Sequence, residues 1–414
     1  MRILYLNTTY SGGGAEKVVR QVYEGMKARG HEVYEIVCYN RRGSVEDDHV
    51  KVLYTGTAGK ILQRLQTGNR SNRSMTIPYA IGYIRQFVKK HEIDVIHLHN
   101  PHDSFLGIRD IASLQRICPV IWTLHDFWAL TGHCAVPVDC THWVEDGCRK
   151  CGYLNKYPRV RVDKCHELFE KKQRFLAGQG IVFTVPSDWM ETQVKRSYLK
   201  EEDCRVIYNS LDPAVWTEYA AQEQKQILRE QYGISKEKLV LAFVTADLAI
   251  PTKGMPLLLE ALKKLNPEKV CLVTAGRCTE QLQRELSSFE MKSFGYISDQ
   301  KTMNEFYGLA DLMVNPSLYE TFGLVGIEAM ASGTPVISFD ICAMREIIGE
   351  DGGWLVEQTD AGNLAETLVY LMTHPEELKA KAAVCRSRVT ERYGESRMLD
   401  QFETLYKLVK YGQK

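Results

Sequence analysis

Residues 315–335 read NPSLYETFGLVGIEAMASGTP, in which a glycine-containing turn leads from an apolar strand at 312–314 into a helix. Two carboxylates lie eight positions apart, Glu320 before the turn and Glu328 on the helix. The free N–H groups and the positive dipole end of the helix therefore lie close to two acceptors for hydroxyl groups. This combination predicts an anionic ligand that carries a polyol, such as a nucleotide-sugar with its diphosphate at the helix N-terminus. The alternative is an ordinary strand, loop and helix with surface glutamates.

Short apolar strands alternate with helices on both sides of this stretch, which is typical of a parallel sheet covered on both faces. The first run of predicted strands comprises residues 2–7, 31–38, 94–99, 120–124, 181–185 and 205–208. The second run comprises residues 239–244, 270–275, 293–295, 312–314, 336–339 and 354–356. The sequence therefore predicts an α/β fold with two Rossmann-like, doubly wound domains that face a central cleft. Ligands of such sheets bind beyond the carboxyl ends of the strands.

The length of the chain also favours two domains, because 414 residues exceed the roughly 250–300 at which a single core stops growing. The first domain is predicted at 1–210, with a Cys-rich insert at 131–158, and the second at 211–387. The charged stretch 218–231 is predicted to be the linker region.

The composition, 44% hydrophobic and 25% charged, is typical of a soluble globular protein. Residues 1–7 are too short an apolar run for a signal peptide or a membrane span, so a cytoplasmic location is expected. The net charge of zero divides into +7 for residues 1–210 and −7 for residues 211–414. No nucleic-acid partner is expected.

A basic segment at 51–90 stands out in the first half, since no acidic residue occurs between Asp48 and Glu92. Such a segment suits an anionic membrane surface, such as the inner face of the cell membrane. It equally suits a phosphorylated acceptor. The alternative is a solvated charged face. Its cations are Lys51, Lys60, Arg64, Arg70, Arg73, Arg85, Lys89 and Lys90.

The triplet Gly12-Gly13-Gly14 follows the first strand and opens the first helix, so Gly13 and Gly14 allow a phosphate or sugar to approach the backbone closely. The triplet is not the dinucleotide fingerprint G-x-G-x-x-G, because Lys17 stands in the place of the last glycine. This departure argues against an NAD enzyme.

Lys253-Gly254 lies in the loop after the first strand of the second domain and is predicted to lie at the mouth of the same cleft as the Glu320 loop, where a lysine can neutralise a departing diphosphate. A loop lysine is otherwise merely solvated. The chain contains no Asp-x-Asp pair, so a hard-cation site has no obvious ligands. The sequence therefore predicts catalysis without a divalent metal.

His125 ends the strand at 120–124 and is expected to hydrogen-bond sugar hydroxyls or a developing charge. The alternative is a structural histidine satisfied by the adjacent Asp126. His97 and His99 share one face of their strand, where they could line an acceptor pocket or merely pack.

An eighteen-residue stretch with little predicted regular structure contains four cysteines, which are Cys134, Cys140, Cys148 and Cys151. Four thiolates can complete a tetrahedral structural zinc site around which such a loop folds. Free or partly disulfide-linked thiols are the alternative, because five residues separate the first pair, which is loose for a zinc knuckle.

Taken in order, these motifs make the chain resemble the family 4 retaining glycosyltransferases, most closely the bacterial exopolysaccharide, capsule and colanic-acid type. The resemblance covers nearly the whole chain and implies the two-Rossmann architecture known as GT-B. It also implies that a C-terminal segment, 388–414, leaves the second domain and folds back onto the first. The motifs that carry the resemblance are Gly13-Gly14-Ala15-Glu16, His125-Asp126, Asn209, Lys253-Gly254 and the pair Glu320 and Glu328.

The same resemblance implies roles for residues around a bound nucleotide-sugar. Glu328 would hold the ribose and Glu320 the transferred sugar, and the turn residues Thr321 and Phe322 belong to the same donor site. The diphosphate would lie on the backbone of Gly323 and Leu324, and Tyr296 and Ile297 would flank the base.

One departure from the family concerns the cationic phosphate clamp. Relatives have an arginine in a pattern like Gly-Arg-Leu, whereas this chain reads Ala246-Asp247-Leu248. Arg277 is the candidate replacement; the alternative is weaker donor binding.

The resemblance implies a retaining enzyme that moves a sugar from a UDP- or GDP-sugar to a hydroxyl of a glycan or lipid-linked glycan in bacterial surface polysaccharide synthesis. Two other functions remain open on the sequence. One is a nucleotide-sugar epimerase of the same fold, and the other is a non-catalytic glycan- or membrane-binding module.

Overall fold

A computed structural model of the protein describes residues 1–40, 45–55, 61, 78–102, 105–219, 222–248, 250–357 and 359–412. The chain forms two compact units. The first unit contains Met1–Tyr208 together with the residues from Leu399 onward, and the second contains Asn209–Met398.

The first unit is built on a seven-stranded parallel sheet with the strand order β3-β2-β1-β4-β5-β6-β7. Ile3 of β1 pairs with Val33 on one side and Val95 on the other. The winding of the chain reverses between β1 and β4, so the loops after these strands flank a topological switch point. The strands are β1 Arg2–Thr9, β2 Glu32–Tyr39, β3 Val50–Val52, β4 Val95–Leu98, β5 Val120–Thr123, β6 Val182–Val185 and β7 Cys204–Val206.

Helix α1 of the first unit, Gly14–Ala28, buries one apolar stripe. Its residues Val18, Val22 and Met26 recur every four residues and are buried, and the helix is closed by Gly30 in the left-handed conformation. The other helices here are α2 Pro78–Lys90, α3 Ile108–Leu114, α4 His142–Glu145, α5 Cys165–Leu176 and α6 Asp188–Lys195.

The second unit contains a six-stranded parallel sheet with the order β10-β9-β8-β11-β12-β13. Its winding reverses between β8 and β11, which makes the loops after these two strands the expected ligand-binding loops. Leu241, Leu258, Leu272 and Val314 are fully buried in its core. The strands are β8 Leu239–Asp247, β9 Val270–Arg277, β10 Glu290–Ser293, β11 Leu312–Asn315, β12 Val336–Phe339 and β13 Gly353–Val356.

The described residues after Tyr208 contain nine α-helices. They are α7 Gln222–Gln231, α8 Met255–Leu262, α9 Glu280–Glu285, α10 Gln300–Leu309, α11 Leu324–Ala331, α12 Met344–Ile348, α13 Ala361–Thr373, α14 Pro375–Arg392 and α15 Glu395–Tyr411. The predicted fold of two Rossmann-like α/β domains with parallel sheets is confirmed.

The C-terminal helix α15 changes unit along its length, because residues from Leu399 onward belong to the first unit. Within that unit, the hydroxyl of Tyr406 lies 3.2 Å from that of Tyr5, and Lys410 forms a 2.9 Å ion pair with Asp94. Residues 388–398 belong to the second unit.

The prediction of a linker at 218–231 is wrong, because α7 lies within the second unit and two of its cations are buried. Lys225 donates a 2.6 Å hydrogen bond to the carbonyl of Ala310, and Arg229 donates two to that of Leu309. These carbonyls lie at the end of α10, where a helix leaves carbonyl groups without intrahelical donors. Charge density in the sequence indicated solvent exposure, whereas the structure uses these charges as a buried helix cap.

The basic segment is only partly described. Lys60, Arg64, Arg70 and Arg73 lie outside the described residues. Lys51, Arg85, Lys89 and Lys90 are exposed, the last three on the polar side of α2. Among the described helices, none is long and apolar enough to cross a membrane.

Candidate active site

Two loops meet at the switch point of the second sheet, one after β8 and one after β11. The N–H of Leu318 donates a 2.8 Å hydrogen bond to the carbonyl of Thr252. Gly254 is left-handed, with φ 70°, and a Cβ at this position would lie 1.7 Å from the carbonyl oxygen of Pro316. Only glycine fits here, because any other side chain would push the two loops apart.

This loop contact brings Lys253 and Glu320 together, as the sequence predicted for the two motifs. The ammonium of Lys253 donates a 2.6 Å hydrogen bond to the Glu320 carboxylate, and the two side chains are 32% and 14% exposed. A pair that is partly open to water adds roughly 0–1 kcal/mol to stability. Its main effect is therefore positional: it fixes a cation and an acceptor for hydroxyls side by side.

Helix α11 begins directly after this loop. Gly323 precedes it in the left-handed conformation, φ 99°, and a Cβ there would lie 2.9 Å from the sulfur of Met344. The first turn, from Leu324, contains no acidic side chain that would compete with an anion for its N–H groups. The predicted diphosphate-binding backbone therefore begins three residues after Glu320, the ion-pair partner of Lys253.

Glu328 lies on α11 and is only 7% exposed. The hydroxyl of Tyr307 donates a 3.0 Å hydrogen bond to its carboxylate, and Thr334 donates to the carbonyl of Tyr307. Burial, reinforced by the nearby negative charge of Glu328, raises the pKa of Tyr307 well above its ordinary value. Tyr307 thus stays a neutral donor that orients the carboxylate predicted to hold the ribose.

Arg277 ends strand β9, beside Asp247 at the end of β8, and the two side chains form an ion pair. Asp247 thus occupies the position where the family's arginine is expected. The guanidinium of Arg277 lies at the same carboxyl edge of the sheet, at the end of the neighbouring strand β9. Arg277 remains 75% exposed and can contact a ligand.

The segment predicted to flank the base follows β10. The carbonyl of Gly295 accepts a 2.6 Å hydrogen bond from the N–H of Gly276, at the end of β9. Tyr296 is half-exposed, Ile297 is half-buried, and both lie on the same sheet edge as Arg277.

The two remaining turn residues differ in their surroundings. Phe322 is 2% exposed and packs edge-on against Tyr393, with ring centroids 5.6 Å apart. Its side chain is therefore part of the core, so only its backbone can contact a donor. Thr321 is half-buried.

In the first unit, Gly13 and Gly14 lie at the start of α1, after β1. Gly12 has φ 142°, which favours glycine, and Gly13 precedes the helix without a side-chain cap. A Cβ on Gly13 would lie 2.7 Å from a carboxylate oxygen of Glu16. The carboxylate of Glu16 therefore lies over the N-terminus of α1.

His125 is held by another histidine rather than by the adjacent Asp126. Its Nε2 is hydrogen-bonded to Nδ1 of His99 at 2.9 Å, whereas Asp126 accepts a 2.9 Å hydrogen bond from His102. Burial lowers the pKa of His125 to about 4, and burial also places that of His99 well below its ordinary value. His125 is thus a neutral imidazole at the end of β5.

Of the two alternatives for His97, the structure supports packing. The side chain is fully buried between Thr123, at 2.7 Å, and the hydroxyl of Tyr406, at 2.8 Å. Burial lowers its pKa to about 3.

The twelve cysteines, all within the described residues, are free, so the alternative of partial disulfide linkage finds no support. The four thiols predicted as one zinc site all line one pocket, but their sulfurs do not all lie within 4.8 Å of one another. Among the described residues, the group with metal-ligand spacing is His133, Cys151 and Cys165, whose ligand atoms lie within 4.8 Å of one another.

Comparisons with known proteins find families and relatives that this chain resembles. A model described as Glycosyltransferase Family 4 matches residues 12–215, and one described as Glycosyl transferases group 1 matches residues 238–374. The chain belongs to the glycosyltransferases that these models describe. The resemblance inferred from the sequence motifs is therefore confirmed.

Individual glycosyltransferases resemble the chain over nearly its whole length. Escherichia coli WcaC, a glycosyl transferase assigned to colanic acid biosynthesis, is 26% identical over 98% of this chain and 99% of its own. Sucrose-phosphate synthase of Thermosynechococcus elongatus has a TM-score of 0.75 at 20% identity, with complete coverage of both chains. Anabaena HepE, solved in complex with UDP-glucose, has a TM-score of 0.68 at 18% identity, covering 99% of this chain and 100% of its own. The two structures show that the fold is GT-B.

Sequence reasoning about this glycosyltransferase missed three residues that the structure places beside the predicted ones. Tyr307 could have been suspected, because a tyrosine on the buried stripe of a helix needs a hydrogen-bond partner. His133 directly precedes Cys134, and Cys165 lies fourteen positions after Cys151, so a wider search for metal ligands would have included both.

Proposed function

We propose that this glycosyltransferase transfers a sugar from a UDP- or GDP-sugar to a hydroxyl of a glycan or lipid-linked glycan during synthesis of a bacterial surface polysaccharide. The observation that carries the proposal is the Lys253–Glu320 pair beside the N-terminus of α11. One cation, one acceptor for hydroxyls and a row of N–H groups match the leaving diphosphate and the sugar attached to it.

The donor site proposed here uses the second unit. Glu320 accepts hydrogen bonds from the transferred sugar, and Glu328, oriented by Tyr307, accepts them from the ribose. The N–H groups of Gly323 and Leu324 bind the diphosphate. Tyr296 and Ile297 flank the base. The UDP-glucose complex of HepE supports a nucleotide-sugar as the donor.

The proposed reaction needs no divalent metal. As the bond between the anomeric carbon and the phosphate oxygen breaks, negative charge develops on the diphosphate, and Lys253 and Arg277 together with the α11 dipole can stabilise it. The absence of an Asp-x-Asp pair from the sequence supports this assignment of roles to cations.

The proposed stereochemical course is retention. The acceptor oxygen attacks the face that the phosphate leaves, through an oxocarbenium-like pair, and its proton passes to the departing phosphate oxygen. The neutral imidazole of His125 hydrogen-bonds a hydroxyl of the substrate. This course follows from the family likeness.

The acceptor and its location are also part of the proposal. The full-length likeness to WcaC supports a surface polysaccharide as the product. A lipid-linked acceptor would lie at the inner face of the membrane, where the exposed Lys51, Arg85, Lys89 and Lys90 can contact anionic lipid.

Glu320→Gln tests the proposal, with Glu260→Gln as a matched control because Glu260 pairs with Lys263 on the surface at 2.5 Å. We expect Glu320→Gln to lower kcat about 10²–10³-fold with an unchanged fold, and Glu260→Gln to have no effect. Wild-type turnover by Glu320→Gln would contradict the proposed site.

Incubation with donor alone distinguishes the other functions. Conversion of the donor sugar without an acceptor would identify an epimerase. A binding module that lacks activity would gain thermal stability from a glycan but not from a nucleotide-sugar, whereas the proposed enzyme is stabilised by UDP- or GDP-sugars.

A further inference from the structure

The Cys-rich insert of the first unit contains a cluster of soft ligands that the proposed transfer reaction does not use. The imidazole Nε2 of His133 lies 3.4 Å from the sulfur of Cys134 and 3.7 Å from that of Cys151. The sulfurs of Cys151 and Cys165 and the Nε2 of His133 all lie within 4.8 Å of one another. One nitrogen and three sulfurs therefore converge on a small pocket.

The two separations from His133 agree with edges of a zinc tetrahedron. Zn–S bonds of about 2.3 Å and Zn–N bonds of about 2.0–2.1 Å place a nitrogen and a sulfur ligand about 3.5 Å apart, and two sulfur ligands about 3.8 Å apart. The measured distances of 3.4 and 3.7 Å from His133 fall near the first of these values.

The hydrogen bonding of His133 also suits a metal ligand. Its Nδ1 lies 3.0 Å from the backbone carbonyl of Pro158, and His133 is 3% exposed. Because a carbonyl oxygen can only accept, the proton of the neutral ring lies on Nδ1, which leaves the lone pair of Nε2 directed at the sulfurs. Metal-ligating histidines have this arrangement, with the second nitrogen bonded to a carbonyl or carboxylate.

Two side chains outside the cluster hold the backbone around the ligands in place. The carboxylate of Asp163 accepts hydrogen bonds from the N–H groups of both Cys151, at 2.9 Å, and Cys165, at 3.1 Å. The buried ammonium of Lys172 donates to three carbonyls of the segment that leads into His133, those of Trp128, Thr131 and Gly132. Two chain segments far apart in sequence are thereby fixed before any ion binds.

We infer that His133, Cys134, Cys151 and Cys165 bind one structural zinc ion, which ties the insert to the start of helix α5. This ligand set shares only Cys134 and Cys151 with the set predicted from the sequence. Cys148 instead accepts a 3.2 Å hydrogen bond from the N–H of Gly132, and Cys140 lines the pocket. Three thiolates and one imidazole form a closed site, so the zinc stabilises the fold and takes no part in transfer.

Metal analysis of the purified full-length protein tests the site. We expect about one zinc per chain in the wild type and in Cys140→Ser, and a content well below this in Cys165→Ser and His133→Gln. Cys140→Ser is the matched control, because it removes a thiol of the same pocket that belongs only to the sequence-predicted set. Zinc lost from Cys140→Ser but kept in Cys165→Ser would overturn the inference, as would equal binding by all variants.

A measurement on the wild type covers the case in which the variants do not fold. Chelator-treated protein titrated with Co²⁺ should give the absorption bands of a tetrahedral ion with thiolate charge transfer, saturating at about one equivalent. Added Zn²⁺ should abolish these bands and raise Tm, because the ion binds only the folded site. Little zinc after purification together with no tetrahedral cobalt spectrum would refute the site.

Discussion

The hydroxyl of Tyr307, on helix α10, donates a hydrogen bond of 3.0 Å to the carboxylate of Glu328, on helix α11, and both groups are buried. A hydrogen bond to a charged group contributes about 1.5–3 kcal/mol. We expect Tyr307→Phe to lower the free energy of unfolding by about that amount and to raise KM for the donor about tenfold, since the carboxylate loses its orientation. Urea unfolding and donor kinetics measure the two effects.

Tyr370→Phe is the matched control for this variant, because Tyr370 also donates to a glutamate, Glu377, but on the exposed surface of the second unit. Its unfolding and donor KM should stay near the wild-type values. An unchanged KM in Tyr307→Phe would show that Glu328 does not bind the donor.

Lys253→Ala should lower kcat about 10²-fold, because the cation that meets the leaving diphosphate is removed while the charge of Glu320 remains. Stability should change little, since the ion pair is partly exposed. Lys263→Ala removes a surface partner of Glu260 and should leave kcat unchanged. Steady-state kinetics give kcat for the wild type and the two variants. Equal values of kcat in all three would contradict the role of Lys253.

Gly254→Ala should destabilise the second unit by about 2–4 kcal/mol, because its Cβ would overlap the carbonyl of Pro316 and the left-handed backbone disfavours alanine. Gly82→Ala, on helix α2 with open space around its Cβ, should instead stabilise by about 0.5–1 kcal/mol. Chemical denaturation gives both values. A Gly254→Ala variant as stable as the wild type would contradict the close contact of the two loops.

Acid should destabilise the first unit through His97, whose pKa falls to about 3 in the folded protein. In the unfolded chain His97 binds a proton near pH 6.5, whereas in the folded protein it binds one only near pH 3. The free energy of unfolding therefore falls as the pH drops from about 6.5 toward 3. Between pH 7 and pH 5 this single group contributes about 2 kcal/mol of the loss, which His97→Gln should abolish.

His142→Gln provides the control for this pH dependence. A hydrogen bond to Asp146 raises the pKa of the exposed His142, so its protonation favours the folded state, and the variant should not reduce the acid loss. Urea unfolding at pH 5 and pH 7 compares the proteins. An acid loss in His97→Gln equal to that of the wild type would contradict the prediction.

The loop and helix start after β11 were predictable because their signals are local. Glu320, Gly323 and Glu328 lie within nine residues, and turn chemistry and helix period determine how such neighbours are placed. Lys253 was predicted to lie beside them, since loops after parallel strands gather at one sheet edge. The failure at residues 218–231 had the opposite cause: Lys225 and Arg229 bind carbonyls more than seventy-five positions away.

By itself the sequence determined two parallel α/β units and the motif of the second switch point, because strand period, glycine positions and helix starts depend on near neighbours in the chain. Only the tertiary structure decided that Tyr307 orients Glu328, that His99 rather than Asp126 holds His125, and which soft ligands surround His133. Each of these contacts joins residues whose approach depends on how whole elements pack. No local pattern encodes that packing.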